Sequence, residues 1–364
     1  MGRAKKHILP FFIPHLGCPH QCIFCNQHHV SGSSGFPSDD EIAAAIRTWD
    51  RAEPPEIAFY GGSFSGLDFS WQRYFLTPAF QALKEKKISG IRISTRPDYI
   101  NPQILTFLKS FGVNTIELGV QSLDDQVLAC AERGHTGKDV LDALDLLKKE
   151  GFITGVQLMP GLPGDSPHKC IQGSLTLARF QPNLARIYPA LVLKDTFLHK
   201  LFLEGSYQPL SLQEAVEISR DMLAIFRLFG VEVIRTGLQP TKDLTPGEQL
   251  AAGPFHPAFG ELVAAALVRE HLTVLIRDFM TGRSEKIIIL WGSPRDCSLM
   301  AGHKKENVIF LKDQFHLLHI KIVGSCTMER GSFGISLVDS EQPDFVLPER
   351  QFLLRYVNQR LMAI

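Results

Sequence analysis

The sequence has no excess of charge of either sign and no long run of apolar residues. Its 364 residues contain 38 Lys+Arg and 38 Asp+Glu, so a nucleic-acid partner could bind only through a local basic patch. No uninterrupted apolar stretch approaches the ~18 residues of a membrane-spanning helix. The apolar run at residues 8–13 is too short for a signal peptide. We therefore expect a cytoplasmic protein with no membrane partner.

The cysteines lack the paired spacing of a disulfide framework. The chain has seven, an odd number, and this usage is typical of a reducing compartment. Four of them are scattered and are expected to be core thiols: Cys130, Cys170, Cys297 and Cys326. The other three share one segment, Cys18-Pro-His-Gln-Cys22-Ile-Phe-Cys25.

This cysteine segment predicts a metal centre. Three thiolates can hold three irons of a [4Fe-4S] cluster and leave the fourth iron open for a reactive ligand. The alternative is a structural zinc site, which needs four nitrogen or sulfur ligands. The spacing favours iron-sulfur, because zinc sites more often combine two separated pairs. Histidines that could complete a zinc site are His15, His20, His28 and His29.

Strand and helix patterns alternate along the first two thirds of the chain, which predicts βα units around a parallel sheet. Nearly every predicted strand ends in a polar or glycine-rich motif. That placement favours a barrel, where sites gather at the carboxyl ends of the strands, over a doubly wound sheet. We therefore predict an α/β protein in which residues 1–245 form a partial (β/α)6 TIM-like barrel. The predicted strands are 8–13, 57–60, 91–95, 115–120, 153–158, 185–189 and 231–235.

A second, smaller region follows a polar stretch at 241–257. Its pattern predicts an α+β domain over 246–345 and a tail helix over 346–364. The predicted elements are strands at 273–277, 286–291 and 318–323 and helices at about 294–301 and 305–314.

Four motifs at predicted strand ends carry residues suited to ligand binding. Each motif taken alone also has a purely structural explanation. In order, these explanations are a tight turn, a surface ion pair, a solvated arginine and a stiff loop. The motifs are Tyr60-Gly61-Gly62-Ser63, Ser94-Thr95-Arg96-Pro97-Asp98-Tyr99, Glu117–Ser122 with Arg133–Thr136, and Gly155–Gly164.

In their order, these motifs and the cysteine segment resemble the radical S-adenosylmethionine (SAM) enzymes. The resemblance covers roughly residues 8–240 and is strongest to the radical SAM domain of the Elongator catalytic subunit. More distantly, the chain resembles oxygen-independent coproporphyrinogen oxidase. The family pattern implies that Cys18, Cys22 and Cys25 ligate the cluster and that Phe24 packs near the adenine of SAM.

The same resemblance implies a SAM site. It assigns Gly61, Gly62 and Ser63 to the methionyl amine, with Ser63 in place of the usual Glu, and Gln121 and Arg133 to the ribose and carboxylate region. Gln157 stands where relatives have Asp or His near the ribose. The implied chemistry is cleavage of SAM to a 5′-deoxyadenosyl radical, with the electron supplied by a donor of the flavodoxin or ferredoxin type.

The segment from Ser293 to Leu311 resembles the KH RNA-binding module, whose GXXG loop clamps a nucleotide backbone. Gly302 provides the first glycine, and Lys305 replaces the second. Lys304 and Lys305 would supply charge for phosphates. A packing α/β domain with an exposed Lys-Lys turn explains this segment equally well.

The Elongator relative modifies the wobble uridine of tRNA and uses acetyl-CoA in a separate domain. Residues 246–364 contain no glycine-rich pyrophosphate loop, so we do not expect acetyl-CoA here. We expect RNA, plausibly a tRNA uridine, as the substrate. The alternatives are a radical SAM enzyme for a small molecule or tetrapyrrole, and a non-catalytic RNA-binding protein stabilised by zinc.

Overall fold

The computed structural model describes residues 7–13, 17–18, 20–26, 36–238, 248–338 and 340–362, with side chains to residue 360. Its contacts divide the chain into two units, residues 1–211 with 231–255 and residues 212–230 with 256–364. None of the described helices combines the length and the apolarity needed to cross a membrane.

The first unit alternates strands and helices. Its strands are β1 (Ile8–Ile13), β2 (Glu56–Gly61), β3 (Gly90–Thr95), β4 (Val113–Gln121), β5 (Ile153–Leu158), β6 (Leu184–Ile187), β7 (Val192–Leu193), β8 (Glu232–Thr236) and β9 (Leu250–Ala252). Its helices are α1 (Asp39–Arg47), α2 (Phe69–Lys84), α3 (Pro102–Ser110), α4 (Asp125–Cys130), α5 (Gly137–Lys149), α6 (Pro167–Phe180) and α7 (Phe197–Leu203). Ser38 and Glu41 begin α1 with a capping box, as the sequence predicts.

Seven of these strands form one parallel sheet in the order β1-β2-β3-β4-β5-β6-β8. Side chains alternate between its two faces. On β2, Phe59 packs against Phe64 and against Phe75 of α2, so its neighbour Tyr60 lies on the opposite, concave face. The predicted α/β partial barrel is confirmed, and the sheet has seven described strands where six βα units were expected.

A hydrogen bond across the concave face shows that this sheet is curled. Arg186 on β6 donates through Nη2 to the hydroxyl of Tyr60 on β2, at 3.0 Å. In a flat sheet these strands would lie about 19 Å apart, four strand spacings of ~4.8 Å. A direct contact between them therefore requires the sheet to close into a half-barrel.

The same arginine belongs to a buried ionic network on the concave face. Glu117 on β4 accepts from Arg186 and from Arg92 on β3, and Arg92 also pairs with Glu56. Burial alone would raise the pKa of the Glu117 carboxyl, but Arg186 and Arg92 hold it below its ordinary value. The network therefore stays ionised and joins strands β2, β3, β4 and β6.

The second unit is an α+β assembly. It contains α8 (Leu212–Leu228), α9 (Phe259–Met280), β10 (Ile287–Gly292), α10 (Cys297–Ala301), α11 (Glu306–Gln314), β11 (His319–Gly324), β12 (Phe333–Ser336), β13 (Phe345–Leu347) and α12 (Glu349–Met362). Its sheet has the order β11-β10-β12-β13, with β10 and β11 parallel and the other pairs antiparallel.

The strand predicted at 273–277 is wrong. Those residues lie inside α9, a helix of 22 residues that is buried around much of its circumference. The segment Thr273-Val-Leu-Ile-Arg277 has the composition of a strand, but an apolar run inside a buried helix gives the same local signal. Packing, rather than the propensity of five residues, selects the helix.

One further expectation differs from the structure. Cys130 and Cys326 are exposed, so the expectation that they are core thiols is wrong. The contacts also group α8 with the second unit, where Tyr356 of α12 donates a hydrogen bond to Asp221 of α8. The domain boundary at 245 and the separate tail at 346–364 stay predictions.

Removing Glu117 should destabilise the first unit. Glu117→Ala leaves Arg92 and Arg186 buried without their shared carboxylate, and breaking a buried ion pair typically costs about 3–5 kcal/mol. Chemical denaturation should show a loss of this size in the free energy of unfolding. The control is Asp142→Ala, which removes the partner of Lys138 in an exposed pair and should leave the midpoint nearly unchanged. Equal effects of the two substitutions would contradict the role given to the network.

Candidate functional site

The cysteine segment begins at a glycine that has no room for a side chain. Gly17 has φ +72°, and a Cβ there would lie 2.2 Å from the carbonyl oxygen of Ser63. From the other side, a Cβ on Gly66 would lie 2.3 Å from the carbonyl oxygen of Gly17. The entry to the segment therefore rests directly on the backbone that follows β2.

Backbone hydrogen bonds hold the rest of the cysteine segment. The amide of Cys25 donates to the carbonyl of Cys22 at 3.0 Å and closes a tight turn. Ile23 donates to the carbonyl of Ala131 and accepts from the amide of Leu198. The turn from Cys22 to Cys25 is thus anchored through both backbone groups of the buried Ile23.

Positive charge and amide donors face the cysteine sulfurs. Arg133 donates through Nη1 to Sγ of Cys22 at 3.4 Å. Burial raises the pKa of the Cys18 thiol, while the backbone N–H of Ser63 and the charges of Arg133 and Arg96 act in the opposite direction. Donors and cations around a thiolate stabilise its charged, ligating form.

Three buried polar atoms near these cysteines have no hydrogen-bond partner among the described residues. They are Nη1 of Arg96, Nε of Arg133 and Nε2 of His135. Burial, with the charge of Arg133, lowers the pKa of His135 to about 4. Buried polar groups are rarely left unpaired in folded proteins, so the two unpaired arginine donors fit a site that receives an anionic group.

The glycine turn after β2 is tied to β1. The amide of Gly62 donates to the carbonyl of Ile13 at 2.7 Å, and Gly61 has φ +104°. Ser63 is buried, and its hydroxyl contacts Thr95 Oγ1 at 2.9 Å and accepts from the amide of Arg96 at 3.2 Å. Because the Ser63 hydroxyl is hydrogen-bonded to residues at the end of β3, only the backbone of Ser63 can bind a ligand.

The ends of β4 and β5 bring together the other predicted SAM-binding residues. Gln121 has φ +67°, and its Oε1 accepts from Nε2 of Gln157 at 3.4 Å. Arg133 Nη2 donates to the carbonyl of Gly119 at 2.8 Å. A Cβ on Gly119 would lie 2.8 Å from Arg133 Nη2 and 3.1 Å from Gln121 Nε2, so this glycine allows the three side chains to converge.

Phe24 lies half-buried against a hydrophobic cluster that also contacts Met159. The cluster's buried members are Ile23, Val127, Ala131, Leu162, Ala190, Val192, Leu198 and Tyr207. The aromatic residue beside the third cysteine is thus supported by apolar side chains from several elements.

The zinc alternative rests largely on residues outside the described part of the chain. His15, His28 and His29 all lie there. His20 is described, and its ring lies against Gly134, where a Cβ would meet it at 2.5 Å. Among the described residues, no three His, Cys, Asp or Glu side chains are grouped so that they could hold one metal ion.

The predicted RNA-binding residues belong to the second unit. Gly302, Lys304 and Lys305 all have positive φ, at 75°, 49° and 64°, and both lysines are exposed. A Cβ on Gly302 would lie 2.8 Å from the side chain of Asn307. Asn307 is buried and donates to the carbonyls of Leu299 and Ala265, so the turn that presents the lysines is fixed.

The sequence motifs alone indicate no role for the polar residues of the concave face, among them Tyr60, Glu117 and Arg186. A signal was present: β3, β4 and β6 each carry a charged residue between apolar neighbours. Strands of a parallel sheet covered on both faces read as nearly continuous apolar runs. A single charge inside such a run indicates a polar site within the barrel.

Gly17→Ala should prevent normal assembly of the metal site. The new methyl group would clash with the Ser63 carbonyl oxygen, 2.2 Å away, and displace the cysteine segment. After anaerobic reconstitution, the iron bound per chain should fall well below the wild-type value. Gly205→Ala is the control, because Gly205 has nearly the same φ, +74°, with nothing within 4 Å of its Cβ position. If both variants bind iron equally well, the close packing at Gly17 is not required.

Sequence comparison finds tRNA-modifying relatives. The chain is 30% identical to tRNA uridine(34) acetyltransferase of Dehalococcoides mccartyi over 232 residues, which cover 53% of this chain and 50% of that protein. It is also 30% identical to the enzyme of that name from Methanocaldococcus infernus over 183 residues, 45% of this chain and 34% of the relative. For human Elongator complex protein 3 the match is 30% over 190 residues, 47% and 35%. The chain therefore spans about a third to a half of the length of these relatives.

Structural and family comparisons agree on the fold. A solved structure of archaeal Methanocaldococcus infernus Elp3 with an N-terminal deletion superposes with a TM-score of 0.60 at 23% identity, covering 73% of this chain and 63% of that one. Residues 12–172 match the Radical SAM superfamily, and residues 182–269 match the Radical_SAM C-terminal domain. With its cysteine segment, its half-barrel and these two consecutive matches, the chain belongs to the radical SAM superfamily.

Proposed function

We propose that this protein is a radical SAM enzyme that binds a [4Fe-4S] cluster and SAM and acts on a uridine in tRNA. The observation that supports it best is the arrangement around the cysteine segment. Arg133 donates to the sulfur of Cys22 and keeps a second, buried donor without a partner. An arginine in this position can serve a cluster thiolate and the carboxylate of a bound ligand at once.

In this proposal, Cys18, Cys22 and Cys25 hold three irons. Gly61, Gly62 and the backbone of Ser63 contact the methionyl amine of SAM. Gln121 and Arg133 contact its ribose and carboxylate. When bound, the cluster and SAM together supply one-electron reductive cleavage to a 5′-deoxyadenosyl radical. The protein orients SAM between the glycine turn after β2 and the ends of β4 and β5.

The apolar cluster beneath Phe24 excludes water from this site. Phe24 and Met159 contribute half-buried side chains to it, and both are close in sequence to proposed ligand contacts. A dry site protects a reactive radical from quenching by solvent. This arrangement supports a catalytic role for the cysteine segment over a purely structural one.

RNA as the substrate is supported by the relatives and by the second unit. The relatives' names specify uridine 34 of tRNA. Lys304 and Lys305 form an exposed cationic turn between two helices, which is suited to phosphate contacts. We include this turn as an RNA contact, with an electron donor of the flavodoxin or ferredoxin type as a further partner. The acetyl transfer in the relatives' name is not part of the proposal.

Reconstitution under anaerobic conditions should give about four irons per chain. With dithionite as the reductant, the reconstituted protein should then cleave SAM to 5′-deoxyadenosine, measured by chromatography. Cys25→Ala should lose most of the iron and all of the cleavage, because one cluster iron would lack its thiolate. Cys326→Ala removes an exposed cysteine and should behave like the wild type. A colourless protein that binds zinc would overturn the radical SAM assignment.

Reversing the charge of the lysine turn should weaken RNA binding. For Lys304→Glu with Lys305→Glu, affinity for tRNA should fall, and the slope of log affinity against log salt should become shallower by about 1.5, since each lost phosphate contact contributes ~0.7–0.9. Fluorescence anisotropy over a salt series measures both quantities. The control makes the same charge change at Lys148 and Lys149, an exposed pair at the end of α5. If the two double variants bind alike, the lysine turn is not an RNA contact.

A further inference from the structure

Tyr188 stands directly after β6, at the mouth of the concave face. Its amide donates to the carbonyl of Leu158 at 2.8 Å, which places it beside the end of β5. Its hydroxyl accepts from Arg186 Nη1 at 2.9 Å. The side chain is half-buried, and the hydrogen bond from Arg186 fixes its hydroxyl beside the network.

The hydrogen bonds of the network leave the Tyr188 proton uncommitted. Arg186 donates through Nε and Nη2 to Glu117 and through Nη2 to Tyr60. The Tyr60 hydroxyl donates its own hydrogen bond to Glu117 Oε1 at 3.2 Å. Tyr188 only accepts from Arg186, and the described residues provide no acceptor for its O–H. A hydroxyl that accepts one hydrogen bond and has no acceptor for its own O–H group is oriented to donate to a ligand.

Gln157 provides the complementary polar group. Gln157 pairs with Arg186 in the sheet register, and its carboxamide lies next to Gln121 of the proposed SAM site. It is half-buried and offers both an N–H donor and a carbonyl acceptor. A ligand beside SAM in the barrel would therefore meet Gln157 on β5 and Tyr188 after β6.

The chemistry of these two side chains selects a neutral, planar ligand. Arg92 and Arg186 are each matched by a carboxylate, Glu56 or Glu117, so the network itself presents hydrogen bonds rather than excess charge. A tyrosine O–H suits a carbonyl oxygen, and a carboxamide suits an imide N–H beside a carbonyl. The pairing edge of a uracil ring has this pattern. Enzymes that act on extruded bases read that edge in a closed pocket.

We propose that Tyr188 and Gln157 form the pocket that selects uracil, with Tyr188 donating to the O4 carbonyl and Gln157 pairing with the imide N–H. This inference rests on the proposed function, since it names the base-reading residues of the proposed RNA substrate. Cytosine would present an amino group where uracil has the O4 carbonyl. The Tyr188 proton would then face another donor, and a polar site rejects such a mismatch strongly.

The test uses the full-length reconstituted protein with SAM and two anticodon stem-loop RNAs that differ only at the wobble base, uridine or cytidine. The wild type should bind the uridine RNA about tenfold or more tightly, the size expected for one good hydrogen bond in a closed site. Tyr188→Phe should lower affinity for the uridine RNA and leave that for the cytidine RNA unchanged, so that the ratio approaches one. Each ratio is taken within one preparation, which removes differences in active fraction.

Tyr74→Phe is the matched control, since Tyr74 is an exposed tyrosine on α2 and loses the same hydroxyl. It should keep the wild-type ratio. If wild-type protein binds both RNAs equally, or Tyr188→Phe keeps the full preference for uridine, the uracil pocket is overturned while the RNA substrate stands. If wild-type protein binds neither RNA, the proposed function itself fails, and the pocket fails with it.

Discussion

The ion pair between Arg186 and Glu117 is the constraint on which the first unit depends. It joins β6 to β4 across the concave face, and its hydrogen bonds to Tyr60 and Arg92 extend the link to β2 and β3. Burying two arginines and two glutamates is costly unless each is paired. The contact between Arg186 and Tyr60, four strands apart, is possible only when the sheet is curled. The same network therefore fixes the curvature of the half-barrel and lines its interior with polar groups.

Close packing of backbone, at glycines that have no side chain, builds the end of the candidate site that contains the cysteines. Gly17 and Gly66 let two chain segments meet where any Cβ would collide, and Gly119 does the same for Gln121 and Arg133. Backbone hydrogen bonds from Ile23 to Ala131 and from Leu198 to Ile23 also hold the cysteine segment in place. The side chain of Arg133 and the backbone amide of Ser63 then lie beside the sulfurs. The glycine contacts and the donors beside the sulfurs therefore lie together at the carboxyl ends of the strands.

Local pattern predicted the first unit well and the second unit less well. The alternation of strands and helices, with polar motifs at strand ends, was enough to predict the partial barrel. Several consecutive βα units give the same pattern, so the prediction does not depend on any one of them. In the second unit the pattern at 273–277 predicts a strand, but those residues belong to a helix of 22 residues. A buried helix loses its polar face, so the period that separates helix from strand disappears. The candidate site was predicted in its cysteines and strand-end residues, but the network behind them was not.

The sequence by itself determined which functional residues are present: three cysteines at ligand spacing and glycines at strand ends. Their order along the chain gives the resemblance to the radical SAM enzymes. These features are local, so they can be read from neighbouring residues. Only the tertiary structure decided that Ser63 turns its hydroxyl toward Thr95, that Arg133 reaches Cys22, and that Arg186 reaches Tyr60 from 126 residues away. Those contacts join distant parts of the chain, and they exist only because the parallel sheet curls and brings non-neighbouring strands face to face.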